Sequence, residues 1–274
     1  MPGKSLFPEL MRELVFKPLK MKHSTFEQNL PKSLITTAAA GHNSKGEKPP
    51  GRWRFLPEMA AAGMWSTATD LALLAIELQR AQSGKSNKFL TAQMVSQMLT
   101  PPLGNWGLGF SVEGEGRNRR FSHGGSTLEF NSILVAYNDS GQGAVIMANS
   151  LRGERVIDEL LRSISKEYGW GDYQPKEKTI AAVNPKVYEN YFGQYELDIS
   201  SDYVVTVSAN DGKLMMTIKQ PVGETSAELL PESETQFFRR DVDLEMSFVK
   251  NNEGRTTGLI IRQEGAEYRA KKIK

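Results

Sequence analysis

Phe121-Ser122-His123-Gly124-Gly125-Ser126, followed by the apolar run Ser132-Ile133-Leu134-Val135-Ala136-Tyr137, decides how this chain is read. The second segment reads as a strand, and the first as its partner, carrying a basic residue, two glycines and a hydroxyl at a strand edge. Glycine at such an edge removes the Cβ that would hold a ligand away from the backbone. Asn138-Asp139-Ser140-Gly141 is a turn signal joining 132–137 to 144–148, so 106–148 is expected to form an antiparallel meander. The glycines and aromatics of Asn105 to Phe110 are expected to start its first strand.

Upstream, Thr67 with Asp70 three residues later is a variant capping box that opens a helix to about Arg80. A second helix, roughly 91–99, follows Thr91. Residues 8–17 read as a short amphipathic helix, with Pro8 in its first turn and Leu10, Leu14 and Phe16 to Leu19 as its apolar stripe. Residues 29–57, rich in Pro, Gly, Lys and Asn, read as a long loop. Downstream, Glu154 to Tyr168 reads as a helix with Val156, Leu160, Leu161 and Ile164 on one face. Residues 169–184 read as a linker.

After Pro185 the pattern changes to short alternating runs: 203–207, 214–218, 237–239, 245–248, 258–262 and 267–269. Asn210-Asp211-Gly212-Lys213 is a tight hairpin turn. Evenly spaced strands with turn residues between them predict a small antiparallel barrel or sandwich. The fold class is α+β: an antiparallel sheet with flanking helices, then a small β-barrel-like domain.

Composition narrows the function. The chain has 274 residues, 39% hydrophobic and 24% charged, the make-up of an ordinary globular protein. Its net charge is +2, from 34 basic and 32 acidic residues spread along the chain, so nothing points to nucleic acid. Cysteine is absent, which removes disulfides, thiolate chemistry and cysteine metal sites. His23, His42 and His123 show no metal-like spacing, and neither a metal nor a cofactor is expected. His23 and His42 read as surface residues. No apolar run approaches the roughly 18 residues that span a bilayer, and Met1 to Leu6 lacks the apolar core of a signal peptide. The chain as given reads as soluble, with its compartment unknown. Arg269 to Lys274 reads as a solvated basic tail.

Several segments together resemble the serine β-lactamase and penicillin-binding-protein superfamily: class C β-lactamases, D-Ala-D-Ala carboxypeptidases and related esterases. They are Pro8 to Glu13 with Pro18 to Met21, then Ala61 to Ala72, then His123-Gly124-Gly125-Ser126 with Ala148-Asn149-Ser150. Residues 184–197 resemble the opening of a lipocalin-like β module often appended to such hydrolases. The resemblance implies a partial catalytic domain over 1–168, a linker over 169–184 and a lipocalin-like domain over 185–274. Family members are often exported. The family usually carries a glycine near Glu129, and this chain does not.

In that family Ser-x-x-Lys supplies the nucleophile and its base, Tyr-x-Asn a proton shuttle, and Lys-Thr-Gly or His-x-Gly on a strand the third wall. Serine needs this help because its hydroxyl is a poor nucleophile until a base removes the proton. His123, Gly124 and Gly125 match the third motif. The match implies that His123 binds the substrate carboxylate or tunes the tyrosine, and that the Ser126 N–H is an oxyanion donor. His123, Gly125 and Ser126 are thus the catalytic candidates, with Gly124 and Trp65 as substrate-binding candidates. Ser163 to Lys166 fits Ser-x-x-Lys and Tyr188-Glu189-Asn190 fits Tyr-x-Asn, but both follow His123 and neither is expected to be catalytic.

The expectation is therefore a truncated serine hydrolase, inactive alone, whose parent hydrolyses a β-lactam, a D-Ala peptide or a carboxylic ester through an acyl-serine. Exposed sheet edges would make it poorly soluble, a homodimer, or dependent on a complementing N-terminal fragment. The alternative is a non-catalytic protein that binds a ligand or partner on the same fold.

Overall fold

The computed structural model describes residues 6–175, 177–220, 223–263 and 266–274. The opening residues 1–5, read above for a signal peptide, lie outside the described residues. The chain divides into two compact units, Met1–Pro175 and Lys176–Lys274. Among the described residues no helix is long and apolar enough to cross a membrane.

The first unit is a four-stranded antiparallel sheet in the order β1 (Ser111–Glu113), β2 (Arg120–Ser126), β3 (Asn131–Tyr137) and β4 (Gly143–Ala148). Before it come α1 (Leu6–Met11), α2 (Lys17–Leu19), α3 (Lys32–Ile35), α4 (Met59–Ala62), α5 (Ala68–Gln82) and α6 (Ala92–Met98); α7 (Gly153–Tyr168) follows it. The continuous apolar run of β3 reflects a strand covered on both faces. Leu134 and Ala136 pack with Ala75 and Leu78 of α5, whereas Val135 and Tyr137 pack with Ile157 and Leu161 of α7. Gln79 of α5 donates to both Tyr137 O and Gln142 O at 2.8 Å, tying the helix to the β3–β4 hairpin.

Thr67 caps α5, accepting from the Asp70 amide at 3.2 Å, and Thr91 caps α6 from the Met94 amide at 3.3 Å. The reciprocal half of the expected capping box is missing. Asp70 is buried and accepts instead from His23 N at 2.7 Å and Ser24 Oγ at 2.8 Å, which fixes the segment after α2.

Three segments differ from expectation. A π turn over Arg12–Phe16 joins α1 to α2. By taking more residues per revolution it keeps Phe7, Met11, Val15 and Leu19 on the buried side with Phe16. Leu10 and Leu14 turn to solvent as a result. On α7, Ile157, Leu161 and Ser165 are buried but Val156 and Leu160 are exposed. Asn105 to Phe110 forms no strand: Gly104 and Gly109 adopt positive φ, Gly107 N donates to Phe110 O, and regular pairing starts only at Ser111.

Residues 170–174 pack on the first unit. Asp172 accepts from Arg120 Nη1 at 2.9 Å and from the Tyr137 hydroxyl at 3.0 Å, and Arg120 also reaches Glu113 at 2.7 Å. Burial first, and then the bond to Asp172, hold the Tyr137 phenol above its ordinary pKa.

The second unit is a closed antiparallel barrel. Its strands are β5 (Gly193–Leu197), β6 (Val204–Asn210), β7 (Lys213–Gln220), β8 (Gly223–Pro231), β9 (Gln236–Phe238), β10 (Leu244–Lys250), β11 (Thr256–Gln263) and β12 (Ala266–Lys272). Asp211 and Gly212 both take positive φ, the requirement of a type I′ hairpin turn. Alternate residues point inward, and the interior is filled by Tyr191, Tyr195, Phe237, Leu214, Met216 and Met246, all almost without exposure. Tyr191 stacks on Phe248 at 4.0 Å and donates to Glu234 O at 2.6 Å.

The carboxyl end is not a solvated tail. β12 pairs with β5, and Gln194 N donates to Lys274 O at 3.0 Å, so these basic residues close the barrel.

The Phe16→Ala variant is expected to lose about 3–5 kcal/mol of stability, as buried aromatic truncations do. Leu14→Ser should stay within about 0.5 kcal/mol of the parent. Urea unfolding of both variants checks the assignment of the buried face.

Candidate active site

The site rests on a mismatch of strand lengths. β2 pairs along its full length with β3, from Arg120↔Tyr137 to Ser126↔Asn131. On its other edge β1 covers only Arg120 to Ser122. His123 to Ser126 therefore lie on an edge that no described strand pairs. Backbone direction alternates along the strand. Thr127 N donates to Phe130 O and Arg119 O accepts from Asn138 N, so odd-numbered residues of β2 face β3. The N–H and C=O groups of Gly124 and Ser126 consequently face the free edge.

The glycines are not demanded by the fold at this edge. Neither Gly124 nor Gly125 has a positive φ. A Cβ at Gly124 would meet nothing closer than Ile133 Cδ1 at 3.7 Å, and one at Gly125 would meet only the movable Ser132 Oγ at 2.9 Å. Packing within the protein therefore tolerates a side chain at Gly124.

His123 is exposed. Its ring stands edge-to-face with Trp106 at 6.3 Å and Phe110 at 6.4 Å. These two aromatics are the neighbours that sequence reading missed. Their signal was the glycine–aromatic alternation of 105–110, read as a strand when it builds a loop beside the histidine.

Trp65 is placed elsewhere. An isolated bridge with Thr25 holds it, and its ring meets Trp53 at 5.0 Å and Phe130 at 6.1 Å. It thus borders the tip of the β2–β3 hairpin, and no contact joins it to His123.

At that tip lies Glu129, near which the resemblance led to the expectation of a glycine. It is buried, without positive φ, and Arg54 Nε lies 2.6 Å from its Oε1, a charge contact rather than an aligned hydrogen bond. Gly41 makes room for it, since a Cβ there would lie 2.3 Å from Glu129 Cβ. Contrary to expectation, His42 is no loose surface residue. Its Nδ1 bonds Asn149 O at 2.8 Å, its carbonyl accepts from Leu151 N at 2.9 Å, and Asn149 Nδ2 donates to Ala40 O at 2.8 Å. The long loop is therefore fastened to the end of β4 and to the hairpin beside the candidate site.

The formal nucleophile motifs are each engaged by other groups. Ser163 Oγ donates to Glu159 O within α7 at 2.8 Å. Tyr188 is buried in the second unit against Phe237, and burial raises its hydroxyl pKa. Ser247 to Lys250 also has the Ser-x-x-Lys spacing, on β10, but the Lys250 ammonium lies over the Tyr191 ring at 5.3 Å. Among the described residues no group of acidic or histidine side chains is arranged to hold a metal ion.

The sequence profile of the family described as Beta-lactamase matches residues 3–165. The chain belongs to the beta-lactamase family. Residues 177–273 match a second profile, described as a domain of unknown function, DUF3471. Penicillin-binding protein 4* of Bacillus subtilis (strain 168) is 23% identical over 175 residues, which is 62% of this chain and 38% of that protein. The crystal structure of SurE superposes with a TM-score of 0.50 at 20% identity, over 97% of this chain and 63% of that one. The octameric penicillin-binding protein homologue from Pyrococcus abyssi gives 0.49 at 16% identity, over 97% and 60%. This beta-lactamase-family chain thus spans less than two thirds of the length of these relatives.

Gly41→Ala is expected to destabilise the first unit by more than about 1 kcal/mol, because its Cβ meets backbone-anchored atoms of Glu129. Gly124→Ala should leave the melting temperature nearly unchanged. Differential scanning calorimetry of the two variants checks whether Gly124 is a packing glycine.

Proposed function

We propose that the His123–Ser126 edge is one wall of a serine-hydrolase site, with the nucleophile and its base supplied from outside these 274 residues. What carries the reading is the outward-facing backbone of Gly124 and Ser126 on an unpaired edge, beside an exposed histidine, in a beta-lactamase-family unit. The substrate class is an acyl compound: a β-lactam, a D-Ala peptide or a carboxylic ester.

In the complete site a serine Oγ attacks the acyl carbon while the lysine base takes its proton. The carbonyl oxygen gains negative charge, and the Ser126 N–H donates to it. One such donor is worth about 3–4 kcal/mol in the transition state of acyl transfer. The proton then passes to the leaving nitrogen or oxygen, and water hydrolyses the acyl-serine. His123 holds the substrate carboxylate at the open end of β2, and Gly124 lets the substrate lie against the strand. Gly125, facing β3, keeps the chain flat at the same point. Trp65 serves, in this reading, from the hairpin tip, where it shapes the approach rather than touching the acyl group.

This chain alone binds such compounds without turnover. Intact-mass spectrometry after incubation with a fluorescent penicillin or a fluorophosphonate should show unmodified protein. Benzylpenicillin or a D-Ala-D-Ala peptide should perturb Trp106 fluorescence, and His123→Ala should weaken that response about tenfold or more. A stoichiometric adduct would place a working nucleophile in the chain and overturn the assignment. No fluorescence response to either compound at millimolar concentration would overturn the binding role of the edge.

A further inference from the structure

The outer wall of the barrel carries a groove of about 380 Å³ across β11, β12 and β5, with Glu196, Val249, Gly258, Ile260 and Lys271 along it. Each of these strands is hydrogen-bonded on both edges, so the groove is a surface of a closed unit and no sheet edge borders it. Its volume falls in the range of small-ligand pockets.

Alternation decides which side chains reach it. Tyr195, Leu197, Phe248, Leu259, Ile261 and Ala270 are buried in the barrel core, which turns Glu196, Val249, Gly258, Ile260 and Lys271 outward. Gly258 makes the hollow. A Cβ there would lie 2.5 Å from Ala270 O, so β11 and β12 approach as they do only with glycine at this position. Beside it the register shifts between Val249 and Lys250, and Thr257 is the extra residue of a bulge. Val249 and Ile260 border the hollow, whereas the next outward positions on the same strands are Ser247, Glu245 and Arg262.

The charges beyond the hollow are unspent. Lys271 stands directly opposite Gly258 on one side and Glu196 on the other. Opposite charges facing each other on paired strands ordinarily attract. Among the described residues, however, neither Lys271 nor Glu196 has an ion-pair partner. The neighbouring Arg269 is held by Glu267 at 2.8 Å. The groove thus runs from an apolar hollow to a free ammonium and then to a free carboxylate, on successive strands about 5 Å apart.

We propose that this groove binds a short apolar peptide with both termini free. The C-terminal side chain occupies the hollow between Val249 and Ile260, the terminal carboxylate meets Lys271, and the terminal ammonium meets Glu196. The order of groups selects the ligand. A carboxylate beside the apolar group with an ammonium one residue farther on is the polarity of a dipeptide. Its one peptide link spans about 3.8 Å between Cα atoms, close to the strand spacing that separates Lys271 from Glu196. A fatty acid leaves Glu196 without a partner, and an aliphatic amine meets Lys271 first.

Titration of the full chain with L-leucyl-L-leucine, followed by NMR amide shifts, tests this. The amides of Glu196, Gly258, Ile260 and Lys271 should move together, with one dissociation constant in the millimolar range or below. N-acetylation or C-terminal amidation of the peptide should weaken binding about threefold or more, as should Glu196→Gln or Lys271→Gln, with the melting temperature nearly unchanged. The effects should be coupled: Glu196→Gln should not further weaken the N-acetylated peptide, nor Lys271→Gln the amidated one. No shifts at these four residues, equal affinity for the free and doubly blocked peptides, or uncoupled losses would each overturn the proposal. Shifts at Gly124 and Ser126 report the β2 edge separately, so failure of either site is distinguishable from failure of the other.

Discussion

The first unit depends on the burial of β3. It is hydrogen-bonded on both edges and covered on both faces, with Val135 and Ala136 wholly enclosed. A slip of one residue would send Leu134 and Ala136 to the α7 face and Val135 and Tyr137 to the α5 face, so the register is held by two cores at once. That register sets β2. It fixes His123 opposite Leu134 and decides that Gly124 and Ser126, rather than their neighbours, present backbone groups to the free edge. The chemistry proposed for this wall depends on a packing constraint one strand away.

Much of this was legible because several sequence signals each have one physical cause. Five apolar residues in a row, Ile133 to Tyr137, mean a doubly covered strand. Thr67 and Thr91 cap helices because their hydroxyls reach an amide three residues on. Asp211-Gly212 closes a hairpin because both positions need positive φ. Other parts were hidden for equally physical reasons. The π turn over Arg12–Phe16 rotates the apolar stripe without any change in residue pattern. β8 was not anticipated, since its first half, Gly223-Glu224-Thr225-Ser226, is polar and exposed; its apolar residues gather at Leu229 and Leu230. The basic carboxyl end looked like a tail because lysine suits the outer face of a barrel strand as well as solvent.

The candidate site divides in the same way. His123 to Ser126 was readable as a unit because its residues are adjacent on one strand. Trp106 and Phe110 were not, since their nearness to His123 comes from the irregular turns at Gly104, Gly107 and Gly109. The role of His42 was equally invisible. A histidine in a polar loop gives no sign of the carbonyl it bonds more than a hundred residues later. Trp65 entered through family resemblance alone, and its rings of contact lead to the hairpin tip.

The central claim, that β2 is open from His123 to Ser126 while β3 is sealed, is tested most directly by amide hydrogen exchange resolved by NMR. The amides of β3 should exchange only through global opening, as should those of His123 and Gly125, which face it. The amides of Gly124 and Ser126 should exchange orders of magnitude faster. Uniform slow exchange across His123 to Ser126 would mean that the edge is covered, and would contradict the account.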